Sequence, residues 1–232
     1  MSASSQILIR TQQAIPEKLR TNTAPNIALP PLSCTIPAAT FICYKSYHLE
    51  LTPYMQMLAQ QQAAGSGSIA YPQPLNIAYL DTSIQLLSIL SGLNNLKLAA
   101  EYHQTKNKKQ IHRRALQLLE HFQCTHVRYK LPAFMNTLEH RLLLIARALM
   151  LEPDILFIDK PFQGLDMHEH NILGNHLMAI TTEMQITVVS SAVSLAFMKK
   201  AAQQIIYCDD QAFYAYNEWG RFRSHHPELF EH

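Results

Sequence analysis

Glycine is scarce in this sequence, with six residues in 232, where average usage of roughly 7% would give about sixteen. A fold that cradles phosphates on glycine loops has little to build them from. Cysteine is sparse too, and Cys34, Cys43, Cys124 and Cys208 share no CxxC spacing, which argues against a zinc ribbon, a thioredoxin-type motif or a disulfide framework. No secretory leader precedes them and no apolar run reaches the ~18 residues of a membrane span, so a reduced, cytoplasmic chain is expected. Charge of one sign is missing as well: the net charge of +2 is too small to point to a nucleic-acid partner. Basic residues concentrate only between Lys106 and Arg114, which reads as a solvated helix face. A nucleophile elbow, Gly-x-Ser-x-Gly, is absent. His168, His170 and His176, and the pair Cys124 and His126, lack the i, i+4 spacing with a third ligand that a metal site needs. No metal and no other cofactor is expected.

What is present is an apolar chain, 48% hydrophobic, large enough for a buried core. Pro16, Pro25, Pro30 and Pro31 break the first forty residues into short pieces, with short strands expected at Ile7 to Arg10 and Ser33 to Ile36. Thr40 to Tyr44 reads as a central strand, followed by a helix over Pro53 to Gln62 with Pro at its opening turn. GSGSIAY reads as a turn and a strand, and residues 76 to 80 as another strand. From about 83 to 150 the spacing is helical: Ile111, Ala115, Leu118, Leu119 and Phe122 share one face, and Leu142 to Met150 is almost wholly apolar. Strand pattern returns at ILFID, ending on Asp159 with Lys160 behind it. A helix from about His168 to Thr181, the strand ITVVS, a helix from Ser194 to Ala202 and a hairpin IIYC-DDQ-AFYAY complete the chain. Strands alternating with helices around an inserted helical block predict a parallel α/β core with a helical subdomain at 83–145, within one domain over 1–232.

The segment IARALMLEPDILFIDKPFQGLD, residues 145 to 166, resembles ABC transporter ATPases from the signature helix through Walker B to the D-loop. Ile145 to Leu149, Pro153, Asp159, Pro161 and Gly164-Leu165-Asp166 all agree with that family. TVVSSAVSLA (187 to 196) resembles its H-loop strand and helix, and TIPAATFICY (35 to 44) the strand leading into Walker A. The likeness covers roughly residues 30 to 210 and implies a RecA-like core with an N-terminal antiparallel β region. Pro161-Phe162 and Val188-Val189-Ser190 look most like the ATPases of MCE-type bacterial lipid transporters.

Against that resemblance, the departures stand out. Where the family's Walker A places glycines and a lysine to meet phosphates, this chain reads KSYHLELTP. Leu51 stands at the lysine position, only Thr52 matches, and Glu50 adds a negative charge where phosphates would lie. GSGS at Gly65 to Ser68 follows a helix and opens a strand, and matches the family's later S-G-x-I turn. No aromatic precedes Phe41 to stack on adenine. Thr82 replaces the Q-loop Gln, the signature aligns with MNTLE so that Asn136, Thr137 and Leu138 fall within it, Lys160 replaces the catalytic Glu, and Ser191 replaces the H-loop His. In the family Asp159 would help hold Mg²⁺; here Lys160 is expected to pair with it or with a neighbouring acid.

The resemblance with these departures implies a subunit that is no enzyme, a pseudo-ATPase of an MCE-type lipid-transport complex on the cytoplasmic face of the bacterial inner membrane. An atypical active ATPase and a free-standing interaction protein are the alternatives. Expected partners are a permease docked at Thr82, Ile84, Leu86 and Leu87, a second ABC ATPase-like subunit across Gly164, Leu165 and Asp166, and an MCE protein; nucleic acid is not among them. The aromatic tail at 205–232, with Phe213, Tyr214, Tyr216, Trp219, Phe222 and Phe230, is expected to pack half on its own sheet and half on a partner.

Overall fold

The computed structural model describes residues 6–17, 29–46, 48–103, 106–191, 193–209 and 211–230. Pro25, Tyr47, Ala192 and Asp210, which figure in the sequence reading, lie outside the described residues. Six strands form the main sheet: β3 (Phe41–Ser46), β5 (Ile77–Leu80), β6 (Ile155–Ile158), β7 (Thr187–Ser191), β8 (Gln204–Cys208) and β9 (Phe213–Tyr216). Their order is β5-β6-β7-β3-β8-β9. All neighbours are parallel except the β8–β9 hairpin. Strands buried on both faces need apolar residues at every position, and ILFI and TVVSS supply side chains that are buried throughout.

The two faces of this sheet support separate cores. Period-two alternation sends Ile42, Tyr44, Phe157, Val189 and Ile206 to one side, and Phe41, Leu156, Ile158, Val188 and Ile205 to the other. On the first side they meet α1 (Thr52–Leu58) and a three-stranded antiparallel sheet ordered β2 (Thr35–Pro37), β1 (Ile7–Pro16), β4 (Ala64–Ala70). On the second side lie α2 (Gly92–Tyr102), α3 (Lys108–His121), α4 (Thr137–Leu149), α5 (Met167–Met184) and α6 (Leu195–Ala201), with α7 (Trp219–His225) closing the C-terminal end.

Helix starts are written in the sequence. Asn107, Asn136 and Asp166 each accept the backbone N–H three residues on, while Gln110, Glu139 and Glu169 reach back, so three helices open with capping boxes. Ile111, Ala115, Leu118, Leu119 and Phe122 are all buried, as their shared face predicts. All four cysteines are buried, and none is in a disulfide among the described residues.

The structure corrects four expectations. GSGS is no turn: it lies inside β4 and pairs with β1, where Gly67 at φ +74° faces Gln13 at φ +50° across a register shift. β1 runs on to Pro16 instead of stopping at Arg10, because that irregularity lets pairing continue past the break in alternation. Leu86 is core, only 6% exposed, and cannot serve as a docking contact. The aromatic tail packs on itself and the sheet. Phe222 is fully buried among Tyr207, Tyr216, Trp219 and Phe230, Phe213 packs on Tyr44 and Tyr54, and only Tyr214 of the group stays exposed.

Candidate functional site

The loop from β3 to α1 meets the C-terminal ends of β6 and β7, where parallel sheets place their ligand-handling residues. Five residues from the sequence reading come together there. The buried carboxylate of Asp159, just past β6, accepts hydrogen bonds from the hydroxyls of Thr52 on α1 and Ser191 at the end of β7. Its backbone N–H donates to Leu80 O at 2.7 Å, which fixes where the strand delivers it. Thr52 Oγ1 also lies 2.7 Å from Glu50 Oε1, so one hydroxyl hydrogen stands between two carboxylates. Lys160 donates its backbone N–H to Ser191 Oγ at 2.9 Å, and its Nζ reaches Glu50 Oε2 at 3.0 Å. Lys160 therefore pairs with the neighbouring acid, Glu50, while Asp159 is satisfied by hydroxyls.

Electrostatics follow this pairing. Burial alone would raise the Glu50 carboxyl, but hydrogen bonds from the Thr52 hydroxyl, from Lys160 and from the Thr52 backbone hold it below the usual range. Burial, with the charges of Asp159 and Asp81 behind it, holds the Tyr79 phenol well above its ordinary value. Leu51 turns inward to the core beneath α1, so its side chain does not face the loop. Each oxygen of the buried Asp159 carboxylate accepts from a hydroxyl, Oδ2 from Thr52 and Oδ1 from Ser191. The Glu50 carboxylate is poorly placed for a polyphosphate.

The other sequence-predicted residues lie elsewhere. Thr82 sits exposed in a turn tied by Asp81 and Ser83. Asn136 caps α4, Thr137 opens it, and Leu138 packs half-buried on the core. Gly164 is open at φ +80°, Leu165 is half-buried, and Asp166 uses its carboxylate to cap α5. His170 stacks on Phe162 at 3.8 Å, and His176 packs against Phe122. The sequence reading left open which acid takes Lys160, and the structure gives the neighbouring acid, Glu50; Arg114, read on a solvated helix face, is half-buried on α3.

The whole arrangement has counterparts of known structure. It matches cbiO1 of Clostridium perfringens, part of an ABC transporter complex, with a TM-score of 0.82 at 16% identity, covering 95% of this chain and 92% of that one. The ADP conformation of the cassette MJ1267 matches at 0.80 and 14% identity, covering 98% of both chains. The chain has the fold of an ABC transporter ATP-binding cassette.

Sequence relatives of the chain are named ATP-binding proteins of transport systems. The sulfate/thiosulfate import ATP-binding protein CysA of Nephroselmis olivacea is 28% identical over 144 residues, 58% of this chain and 42% of that protein. The lipopolysaccharide export ATP-binding protein LptB of Haemophilus influenzae is 31% identical over 90 residues, 39% of this chain and 37% of that one. The chain thus spans less than half the length of these curated relatives. No protein-family model matches it.

These relatives overturn one expectation. They are named ATP-binding proteins of import and export systems, so the reading of this chain as no enzyme conflicts with the family. The physical reason is that substitutions at individual motif positions do not establish inactivity. The Asp159 carboxylate and Thr52 hydroxyl still meet at the strand end, and a cassette site is judged by the groups that converge there.

Proposed function

We propose that this chain is the cassette subunit of a membrane transport complex and docks on an integral membrane permease through an apolar face of its helical part. The observation that carries this is a set of large apolar side chains left in solvent: Leu87 is 45% exposed, Ile89 83%, Tyr129 72% and Phe134 74%. They come from two segments held side by side, by Gly92 N–H to Lys130 O at 3.0 Å and Leu93 N–H to Arg128 O at 2.9 Å. Exposed apolar groups gathered on adjacent segments mark a contact surface. Thr82 and half-buried Ile84 border the same segment, and Leu86 anchors it from below.

In this reading residues 83–145 are the docking subdomain of a single domain over 1–232, and the described part of the 205–232 tail, residues 205–209 and 211–230, braces the sheet edge. A second cassette, identical or related, packs across Gly164, Leu165 and Asp166. The complex sits with this subunit peripheral on the cytoplasmic face of the inner membrane; no described helix is long and apolar enough to cross a membrane. The narrower proposal is lipid transport with an MCE protein in the complex, and its support is the resemblance carried by Pro161-Phe162 and Val188-Val189-Ser190.

The test is membrane association of the Ile89→Asp and Phe134→Asp chains, each checked for an unchanged melting temperature. Release of both from the membrane fraction, with loss of the copurifying permease, is the expected result. Retention of both at the wild-type level would remove the docking face.

A further inference from the structure

The helical part carries a second exposed surface, at the end of the α2–α3 pair remote from Gly92. α2 buries Leu93, Asn95, Leu96 and Ala100, so Leu98 and Tyr102, one turn apart on its other side, stand in solvent, Tyr102 80% exposed. α3 packs against α2, with Ile111 and Ala115 joining Leu96 and Ala100 in one core. Its first turns set Lys108, Lys109 and Arg113 in solvent. None of these three forms an ion pair among the described residues, because the nearby acids are taken: Glu101 by Lys97 and Glu152 by Lys106. Arg114 is no part of this surface, since it turns to the groove that Glu152 and Asp154 also line. From Tyr102 to Leu119 the chain has five Lys and Arg and no Asp or Glu. An ordinary solvated face interleaves the two signs. The placement also works against the fold, because Lys108 and Lys109 open α3 against its macrodipole, where α4 and α5 set Glu139 and Glu169.

We propose that this end of the α2–α3 pair rests on an anionic lipid surface, with Lys108, Lys109 and Arg113 meeting headgroup phosphates and Leu98 and Tyr102 entering the interface beside them. Charge complementarity selects an anionic partner. Each Lys or Arg held near such a surface strengthens binding about fivefold. The two apolar side chains select lipid among polyanions. A phenol has an apolar body and a polar tip, so it settles at headgroup depth, and a leucine beside it gains contact with acyl chains. A nucleic acid offers Leu98 no such contact and would need a longer basic stripe than a net charge of +2 supplies. α2 rises about 15 Å from Gly92 to Tyr102, which sets this surface apart from the apolar face at Leu87 and Ile89. The inference therefore goes beyond the permease reading and does not rest on it.

Flotation of the whole chain with vesicles tests it, using phosphatidylcholine alone and an equimolar mixture with phosphatidylglycerol. The expected result is saturable binding to the mixture, weakening as sodium chloride is raised, and none to phosphatidylcholine. That wild-type comparison stands without any variant. Lys108→Gln with Lys109→Gln should weaken binding roughly 25-fold, at about fivefold per charge, whereas the matched pair Lys199→Gln with Lys200→Gln on α6 should stay within about threefold of wild type. Tyr102→Ala should weaken binding severalfold and keep the salt dependence, because it removes an interfacial ring and no charge. Equal binding to both vesicle types, or equal losses from the α3 and α6 pairs, overturns the proposal. Tighter binding to polyglutamate than to the mixed vesicles would assign the surface to an acidic protein and overturn it as well. The vesicles contain no permease, so failure here leaves the membrane-release test at Ile89 and Phe134 unaffected.

Discussion

Lys160 combines two features whose energies oppose each other, and substitution separates them. Its backbone holds φ +52°, a left-handed conformation that costs an ordinary L-residue ~1–2 kcal/mol. Its ammonium pairs with Glu50 at 3.0 Å, with the side chains 37% and 60% exposed, and a pair so open to water contributes only ~0.2–1 kcal/mol. Lys160→Ala removes the pair and keeps the strain, so it should cost about 0.5 kcal/mol. Lys160→Gly removes both and should exceed the alanine variant by ~1 kcal/mol, ending slightly above wild type. Lys160→Glu loses the pair and sets a like charge near Glu50, adding about 1 kcal/mol of repulsion at the high-dielectric limit, for a total loss of ~1–2 kcal/mol. In a domain of this size each kcal/mol moves the melting temperature by ~2–4 °C. The assay is reversible urea unfolding followed by Trp219 fluorescence, at low salt and in concentrated sodium chloride. Salt should draw Lys160→Glu toward Lys160→Ala and leave the glycine–alanine difference unchanged. A glycine variant less stable than alanine would refute the backbone argument, and a salt-independent glutamate variant would refute the pairing.

Glu50 carries a pH signature. Its carboxyl is held below the usual range in the folded chain, so its contribution is present above the unfolded value of about 4.3 and is lost as pH falls through the lower folded value; urea midpoints should fall more steeply on acidification in wild type than in Glu50→Gln. Gly67→Ala should cost ~2 kcal/mol or more in urea unfolding, because a Cβ there would lie 2.0 Å from Gln13 O on a backbone at φ +74°; a change below measurement error would show that the β1–β4 irregularity yields.

Most of the main sheet was legible because its physics is local. ILFI and ITVVS are too apolar for a half-exposed strand, and buried parallel strands need that composition. Asn107, Asn136 and Asp166 mark helix starts because each stands three residues before a side chain that can reach back. The misreadings share another cause. GSGS resembles a turn in isolation, and only Gln13, some fifty residues earlier, makes it a bulged strand pair. Leu86 and Leu87 are identical by composition, yet the Asn95 side chain bonds Leu87 backbone at both N–H and C=O, and that tie sends one leucine into the core and the other to solvent. Half of the aromatic tail read as available to a partner because nothing nearby in sequence announces that Tyr207, on β8, receives Phe222 from α7.

The candidate site shows the same limit at the level of single side chains. The adjacent residues Asp159 and Lys160 invite the reading that they neutralise each other, but the end of β6 sends them in different directions. Asp159 is short and buried, so its carboxylate can use only donors already inside, which are the hydroxyls of Thr52 and Ser191. Lys160 takes a left-handed turn immediately after it, and its long stem carries the ammonium out to Glu50, 110 residues away in sequence. Ser191 joins the two by accepting the Lys160 backbone N–H while donating to Asp159. A hydroxyl can do both at once. Serine at this position therefore completes a network that links β6, β7 and the loop before α1, and the ion pair closes over it from the solvent side.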